Sequence, residues 1–266
     1  MIVLAALLFA LAVAALALWL IGGEEPVYRL REARWFIAVR GETPPLPHGA
    51  RLVWSAAADF PLIGAEDAYW SRFLLVAGDA PPNMAACDDA YVARLRMFAP
   101  PRMALGLLRV LIATGVLTRP ETGDVAADAQ QLGFRADVMP GAGAIANLLA
   151  RADDYAPAMV NFLSYYDAAR DGQGTGAAAY RRYGMVAMRT VYRTGGHLLF
   201  YGAVEEVVRV ARAGPTMGVW NDIAAMRYPN PRAILSMEHV PEYRAALKHR
   251  DAGLDRTVVI ASTESA

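Results

Sequence analysis

From Ile2 to Ile21 the chain carries no charged side chain, and no other feature restricts its folding so tightly. Wound as a helix at about 1.5 Å per residue, such a run reaches roughly 30 Å, the thickness of a bilayer's hydrocarbon core. Trp19 stands near its C-terminal end, where an indole prefers an interface. A cleaved signal peptide needs a basic start and a shorter apolar core, and this run has neither. The expectation is a retained transmembrane anchor over residues 1–22, with the lipid bilayer as partner of residues 2–21. Arg29, Arg31, Arg34 and Arg40 follow the run and nothing basic precedes it. The positive-inside rule then predicts a single-pass protein of the cell membrane with its globular part in the cytoplasm.

Beyond that run the composition is that of a packed protein. Of 266 residues, 56% are hydrophobic and 20% charged, which argues against disorder. The formal net charge of +0 excludes nucleic acid as the main partner, because a phosphate backbone is held by excess positive charge. Cys87 is the sole cysteine, so neither an intrachain disulfide nor a Cys-based zinc cluster is available. Lys248 is the sole lysine, leaving one candidate for Schiff-base chemistry.

Apolar or alternating stretches predict strands at Trp35–Val39, Arg51–Ala57 and Tyr69–Ala77. Ala85–Phe98 reads as a helix ending at Pro100-Pro101, and Met103–Ala113 as another. Residues 119–150 read as a linker with a short helix at Ala142–Ala150. In the second half, Met159–Tyr166, His197–Tyr201, Trp220–Tyr228 and Thr257–Thr263 read as strands. Ala177–Arg193, Arg232–His239 and Glu242–Arg250 read as helices. That order is β-α-β-β-α-β, so residues 151–266 are expected to form a ferredoxin-like domain. Leu74–Ala77, Pro81-Pro82 and Tyr91–Leu95 echo Ala225–Tyr228, Pro229/Pro231 and Tyr243–Leu247. The echo suggests a degenerate copy over residues 30–118, whose sheet would pack on the second in an intrachain pseudo-dimer, or the chain would form a homodimer.

The second half also resembles a family of small dimeric α+β-barrel proteins catalogued as a domain of unknown function. The likeness rests on Met159-Val-Asn161, Tyr180-x-x-Tyr183, Gly195-Gly196-His197, Tyr201-Gly202, Trp220-Asn-Asp222, Tyr228-Pro229, Met237, Pro241-Glu-Tyr243 and His249-Arg250-Asp-Ala-Gly253. It implies a ferredoxin-like α+β fold whose sheets pair into a barrel, and with the apolar run the expected fold is an N-terminal transmembrane helix followed by ferredoxin-like domains; the anchor and the long first half depart from the family. Members of the wider superfamily include cofactor-free monooxygenases and isomerases, so the resemblance implies a fold more firmly than an activity.

Candidate chemistry centres on a few side chains. Arg250 lies on the Tyr243, Ala246, Leu247 stripe of one helix, and a guanidinium on an apolar face needs an anion or a snorkelling exit. His197 alternates with Leu199 and Tyr201 and is a candidate acid or base. Trp220, Asp222 and Tyr228 are read as sharing one strand face, where rings would desolvate the carboxylate. Catalytic roles fall to His197 and Asp222. Ligand-binding roles fall to Arg250, Tyr201, Trp220, Tyr228 and Tyr243. Tyr180 and Tyr183 are explained by packing alone. No histidine pair has metal-ligand spacing, no Gly-x-Ser-x-Gly elbow occurs, and Gly172-Gln-Gly174-Thr-Gly176 lacks the lysine of a phosphate loop, so neither metal nor cofactor is expected. The function expected is binding of a small hydrophobic or aromatic metabolite between paired sheets. The alternatives are a cofactor-independent proton-transfer enzyme and a structural oligomerisation module for membrane partners.

Overall fold

The structure, a computed structural model, describes the backbone of residues 2–43, 45–121 and 135–265. The side chains of residues 2–6, 8 and 136 lie outside that description. So does the middle of the expected linker, residues 122–134.

Among the described residues eight strands form the body: β1 (Trp35–Arg40), β2 (Arg51–Ile63), β3 (Arg72–Ala77), β4 (Asp89–Phe98), β5 (Ala158–Tyr165), β6 (His197–Arg209), β7 (Asp222–Arg227) and β8 (Leu254–Glu264). They close into one antiparallel barrel in the order β1-β3-β2-β8-β5-β7-β6-β4. The separate ferredoxin-like domain expected for residues 151–266 does not form. β8 pairs with β2 and β6 pairs with β4, so both edges of the second half are hydrogen-bonded to the first. Hydrophobic periodicity specifies which faces are apolar, but it carries no information on which edge strands meet.

The interior is filled. Every strand contributes to one apolar cluster, including Phe36, Trp54, Phe73, Tyr91, Phe162, Phe200, Ile223 and Ile260. Phe162 sits at its centre, with ring centroids at 5.5 Å from Phe36, 6.1 Å from Phe73, 5.9 Å from Tyr91 and 5.6 Å from Trp220. Ring packing of this kind is that of a protein core.

The expected helix over residues 85–98 is instead a turn running into β4 at Asp89. Tyr91, Ala93 and Leu95 point into the barrel, whereas Ala90 and Val92 pack outside with Trp35, Ile37, Met84 and Cys87. A strand buried on both faces loses its alternation and reads as a continuous apolar run. The echo between Tyr91–Leu95 and Tyr243–Leu247 therefore sets a strand against a helix.

Helices cover the outside unevenly. α2 (Pro26–Leu30) and α3 (Arg102–Ala113) lie beside β6, and α1 (Ile2–Gly23) packs on α3. After α4 (Ala142–Leu149), the long α5 (Gly176–Arg193), the short α6 (Pro231–Leu235) and α7 (Pro241–Gly253) cover the outer face of β5, β7 and β8. Thr175 caps α5 through the Ala178 amide, and Asn230 caps α6 through that of Ala233. Where α5 starts and α7 ends, Gly176 and Gly253 stand so close that a Cβ on either would strike the other's carbonyl.

The transmembrane anchor expected at residues 1–22 is also corrected. Among the described residues no helix is long and apolar enough to cross a membrane. The C-terminal part of α1 packs on α3 at two glycines. A Cβ on Gly22 would fall on the Arg102 carbonyl, and one on Gly106 on that of Leu18. The Arg102 guanidinium lies over the rings of Trp19, at 4.6 Å, and Tyr28, at 4.9 Å. Apolar character that suggested a span is thus used, in that part, for helix packing, and with no spanning helix among the described residues the arginines that follow carry no orientation.

Candidate functional site

Strand parity decides which expected residues meet. A bulge between Leu198 and Phe200 changes the facing of β6, so Leu199 and Phe200 both enter the core. His197 and Tyr201 therefore do not share a face with Leu199. β6 and β7 pair as His197↔Arg227 and Ala203↔Asp222, which puts the two expected catalytic residues at opposite ends of a strand pair. Trp220 precedes β7 and joins the barrel core. Its Nε1–H donates to the Thr216 carbonyl at 2.9 Å, and the Arg256 guanidinium covers its ring at 4.1 Å. Trp220, Asp222 and Tyr228 thus share no common face.

Asp222 sits at the floor of a cluster of phenols. It is 9% exposed. Its Oδ2 accepts from Tyr165 Oη at 2.6 Å and from Tyr201 Oη, while the two phenol oxygens lie 3.3 Å apart. Burial pushes the Tyr165 phenol far above its ordinary range, and Tyr180, Tyr201 and Asp222 add to the effect. Tyr201 is raised by burial and then by Asp222. Both phenols therefore keep their protons and act as donors. Asp222 Oδ1 receives neither hydrogen bond.

From Tyr165 the rings continue under α5 and α7. Tyr165 and Tyr180 are 5.2 Å apart between centroids, Tyr180 and Tyr183 5.4 Å, and Tyr183 and Tyr243 5.8 Å, with the Tyr183 and Tyr243 hydroxyls 3.1 Å apart. Tyr180 is raised well above the ordinary phenol range by burial and then by Tyr183, while Arg250 pulls the other way. Arg250, in the last turn of α7, is 7% exposed. Its guanidinium lies 5.9 Å from the Tyr183 centroid and 3.4 Å from Met139 Sδ. Among the described residues no carboxylate lies within ion-pair distance of it. Tyr228, 2% exposed, donates to Met237 Sδ at 3.4 Å and belongs to the packing beneath α6.

The structure thus brings Asp222, Tyr201, Tyr243 and Arg250 into one outer-face region joined by Tyr165, Tyr180 and Tyr183. It leaves out His197 and Trp220. Tyr165 and Met139 were not legible as site residues, because the first reads as a strand end and the second as a linker residue.

His197 belongs to a second cluster. Its Nδ1 lies 2.9 Å from Glu25 Oε2, and Arg109 donates through Nε to Glu25 Oε1 at 2.6 Å. Arg109 Nη2 is 2.7 Å from Nδ1 and 3.3 Å from Nε2 of the imidazole, and its guanidinium covers Tyr192 at 4.7 Å. Burial raises the Glu25 carboxyl, but hydrogen bonds from His197 and Arg109 outweigh it and hold the group below its ordinary range. Engaged by Glu25 and Arg109, the imidazole works as a clasp between the α1–α2 junction, α3 and β6. Cys87 is buried, and that burial raises its thiol.

No protein-family model matches the chain, and no curated protein matches it. Two crystal structures of one protein of unknown function from Rhodopseudomonas palustris are similar to part of it. The first is 28% identical, covering 47% of this chain and 93% of that one, with a TM-score of 0.41. The second, of the methylated protein, is 27% identical, covering 48% and 95%, with a TM-score of 0.43.

Proposed function

We propose that this barrel binds a small aromatic metabolite bearing an anionic group, at the outer-face region between Asp222 and Arg250. The observation that carries the reading is Arg250, a nearly buried guanidinium set among phenols and a thioether with no carboxylate in reach among the described residues. A charge so placed costs free energy that an anionic ligand would offset, and the fork of Arg suits a carboxylate. The neighbouring rings of Tyr180, Tyr183 and Tyr243 supply apolar surface and hydroxyl donors for such a ligand.

Benzoate is a suitable first probe. Saturable binding to the full chain, weakened on the order of tenfold or more in Arg250→Met, supports the reading, that being the scale of one charge-assisted hydrogen bond. Unchanged affinity in a folded Arg250→Met protein contradicts it.

A second reading, proton transfer without a cofactor, is favoured by the geometry at Asp222. Both phenols donate to Oδ2, so Oδ1 is the atom able to take a proton from a substrate carbon, with Arg250 stabilising the oxyanion that forms. Phenylpyruvate tests this, because enolisation removes one proton from carbon and returns it to oxygen. Catalysis lost in Asp222→Asn at preserved binding supports the reading. Binding with no acceleration leaves the protein a binder alone.

A further inference from the structure

The region between Asp222 and Arg250 is covered by the chain's own residues 135–140. Within them Ala136–Val138 forms a single 3-10 turn that leads into Met139 and Pro140. Val138 is 1% exposed and lies on Leu163 and Leu254, and Met139, Tyr165, Tyr180 and Tyr201 pack against that trio. Met139 reaches the other end of the region, where its Sδ accepts from Arg250 Nη1 at 3.4 Å. One short segment thus touches both the phenols beside Asp222 and the guanidinium.

Its hold on the barrel is slight. Among the described residues the main chain of 135–140 makes one hydrogen bond, inside the turn, from the Val138 amide to the Arg135 carbonyl at 3.2 Å. What fastens the segment is one buried side chain, Val138, and one polar clasp, Arg135. The Arg135 guanidinium donates to Asp137 Oδ1 at 3.1 Å, to the Asp255 carbonyl at 3.1 Å and to the Tyr166 hydroxyl, and stands 3.6 Å from Asp251 Oδ1. A segment with so few ties opens at less cost than the core beneath it. A thioether is also a weak acceptor, which an anion would replace to advantage at a guanidinium.

We propose that residues 135–140 are a strap that occupies the ligand's place and lifts when the ligand binds, with Val138 as its plug and Arg135 as its latch. This rests on the reading of that region as a binding site and adds its regulation. The affinity observed is then the intrinsic one reduced by the fraction of chains whose strap is open.

Labelling of Arg250 by phenylglyoxal, read by peptide mass spectrometry on the full chain, tests the strap without any ligand. Cys87, buried on the outer side of β1 and β4, reports general loosening through its reaction with N-ethylmaleimide. Arg135→Ala and, separately, Val138→Ala are each expected to speed Arg250 labelling on the order of tenfold, the scale of one charge-assisted hydrogen bond or two buried carbons, with Cys87 labelling unchanged. Both variants are expected to bind benzoate more tightly by a similar factor. Arg250 labelling at the wild-type rate in both variants overturns the strap, as does benzoate affinity that is measurable but equal in all three forms. A rise matched at Cys87 overturns it too, because residues 135–140 are then a fixed part of the core. Faster labelling of Arg250 alone, with no benzoate bound by any form, supports the strap and removes the ligand reading instead.

Discussion

Arg250 and Asp222 are charged groups of one region with opposite surroundings. Asp222 is satisfied by two phenols, while Arg250 rests on a ring and a sulfur. Asp222→Asn should therefore cost about 1–3 kcal/mol in urea unfolding, because a neutral amide weakens two phenol hydrogen bonds in a buried place. Glu25 and Asp89 predict a pH dependence. Burial raises both carboxyls, but hydrogen bonds prevail: His197 and Arg109 on Glu25, and Tyr69 with the Arg212, Ala213 and Ala90 amides on Asp89. A carboxyl held low in the folded state stabilises it above the unfolded group's titration, near pH 4, and that contribution fades as pH falls through the folded value. Urea midpoints should drop between about pH 5 and pH 3, and drop less steeply in Glu25→Gln with Asp89→Asn; equal slopes would show these groups to be idle. Arg250 was legible because its helix has a clear stripe. Glu25 was not, since its contact with His197 spans 172 residues of sequence.

Among the elements, the packing of α1 on α3 depends on backbone contact at Gly22 and Gly106. Gly106→Val should drive the helices apart and cost about 1–3 kcal/mol, as overpacking does. Hydrogen exchange should then rise in α1 and α3 while the strands stay protected; uniform loosening would mean that the hairpin and the barrel unfold together. Helices with one polar face, such as α5, read well from the sequence. β4 did not, because loop residues Met84 and Cys87 cover the outer side that alternation would have marked as solvent. Facing on β6 was misread for a different reason: a bulge between Leu198 and Phe200 resets parity with no residue signal of its own.

At the scale of the whole molecule, closure of the barrel joins the two halves of the chain into one sheet. The two seams, β2 with β8 and β4 with β6, join distant parts of the chain, and their pairing could not be read from hydrophobic pattern. Rings from several strands fill the inside. Phe162→Ala, which empties the centre of that packing, should cost about 3–5 kcal/mol by chemical denaturation, and a loss below about 1 kcal/mol would mean that the centre is not tightly filled. Chemical-shift mapping of benzoate on protein labelled at tyrosine and phenylalanine rings asks most directly where binding occurs. Shifts at Tyr165, Tyr180, Tyr183 and Tyr201, with Phe36, Phe73 and Phe162 unmoved, are what the outer-face site predicts. Shifts concentrated on those three phenylalanines would place the ligand inside the barrel and contradict it.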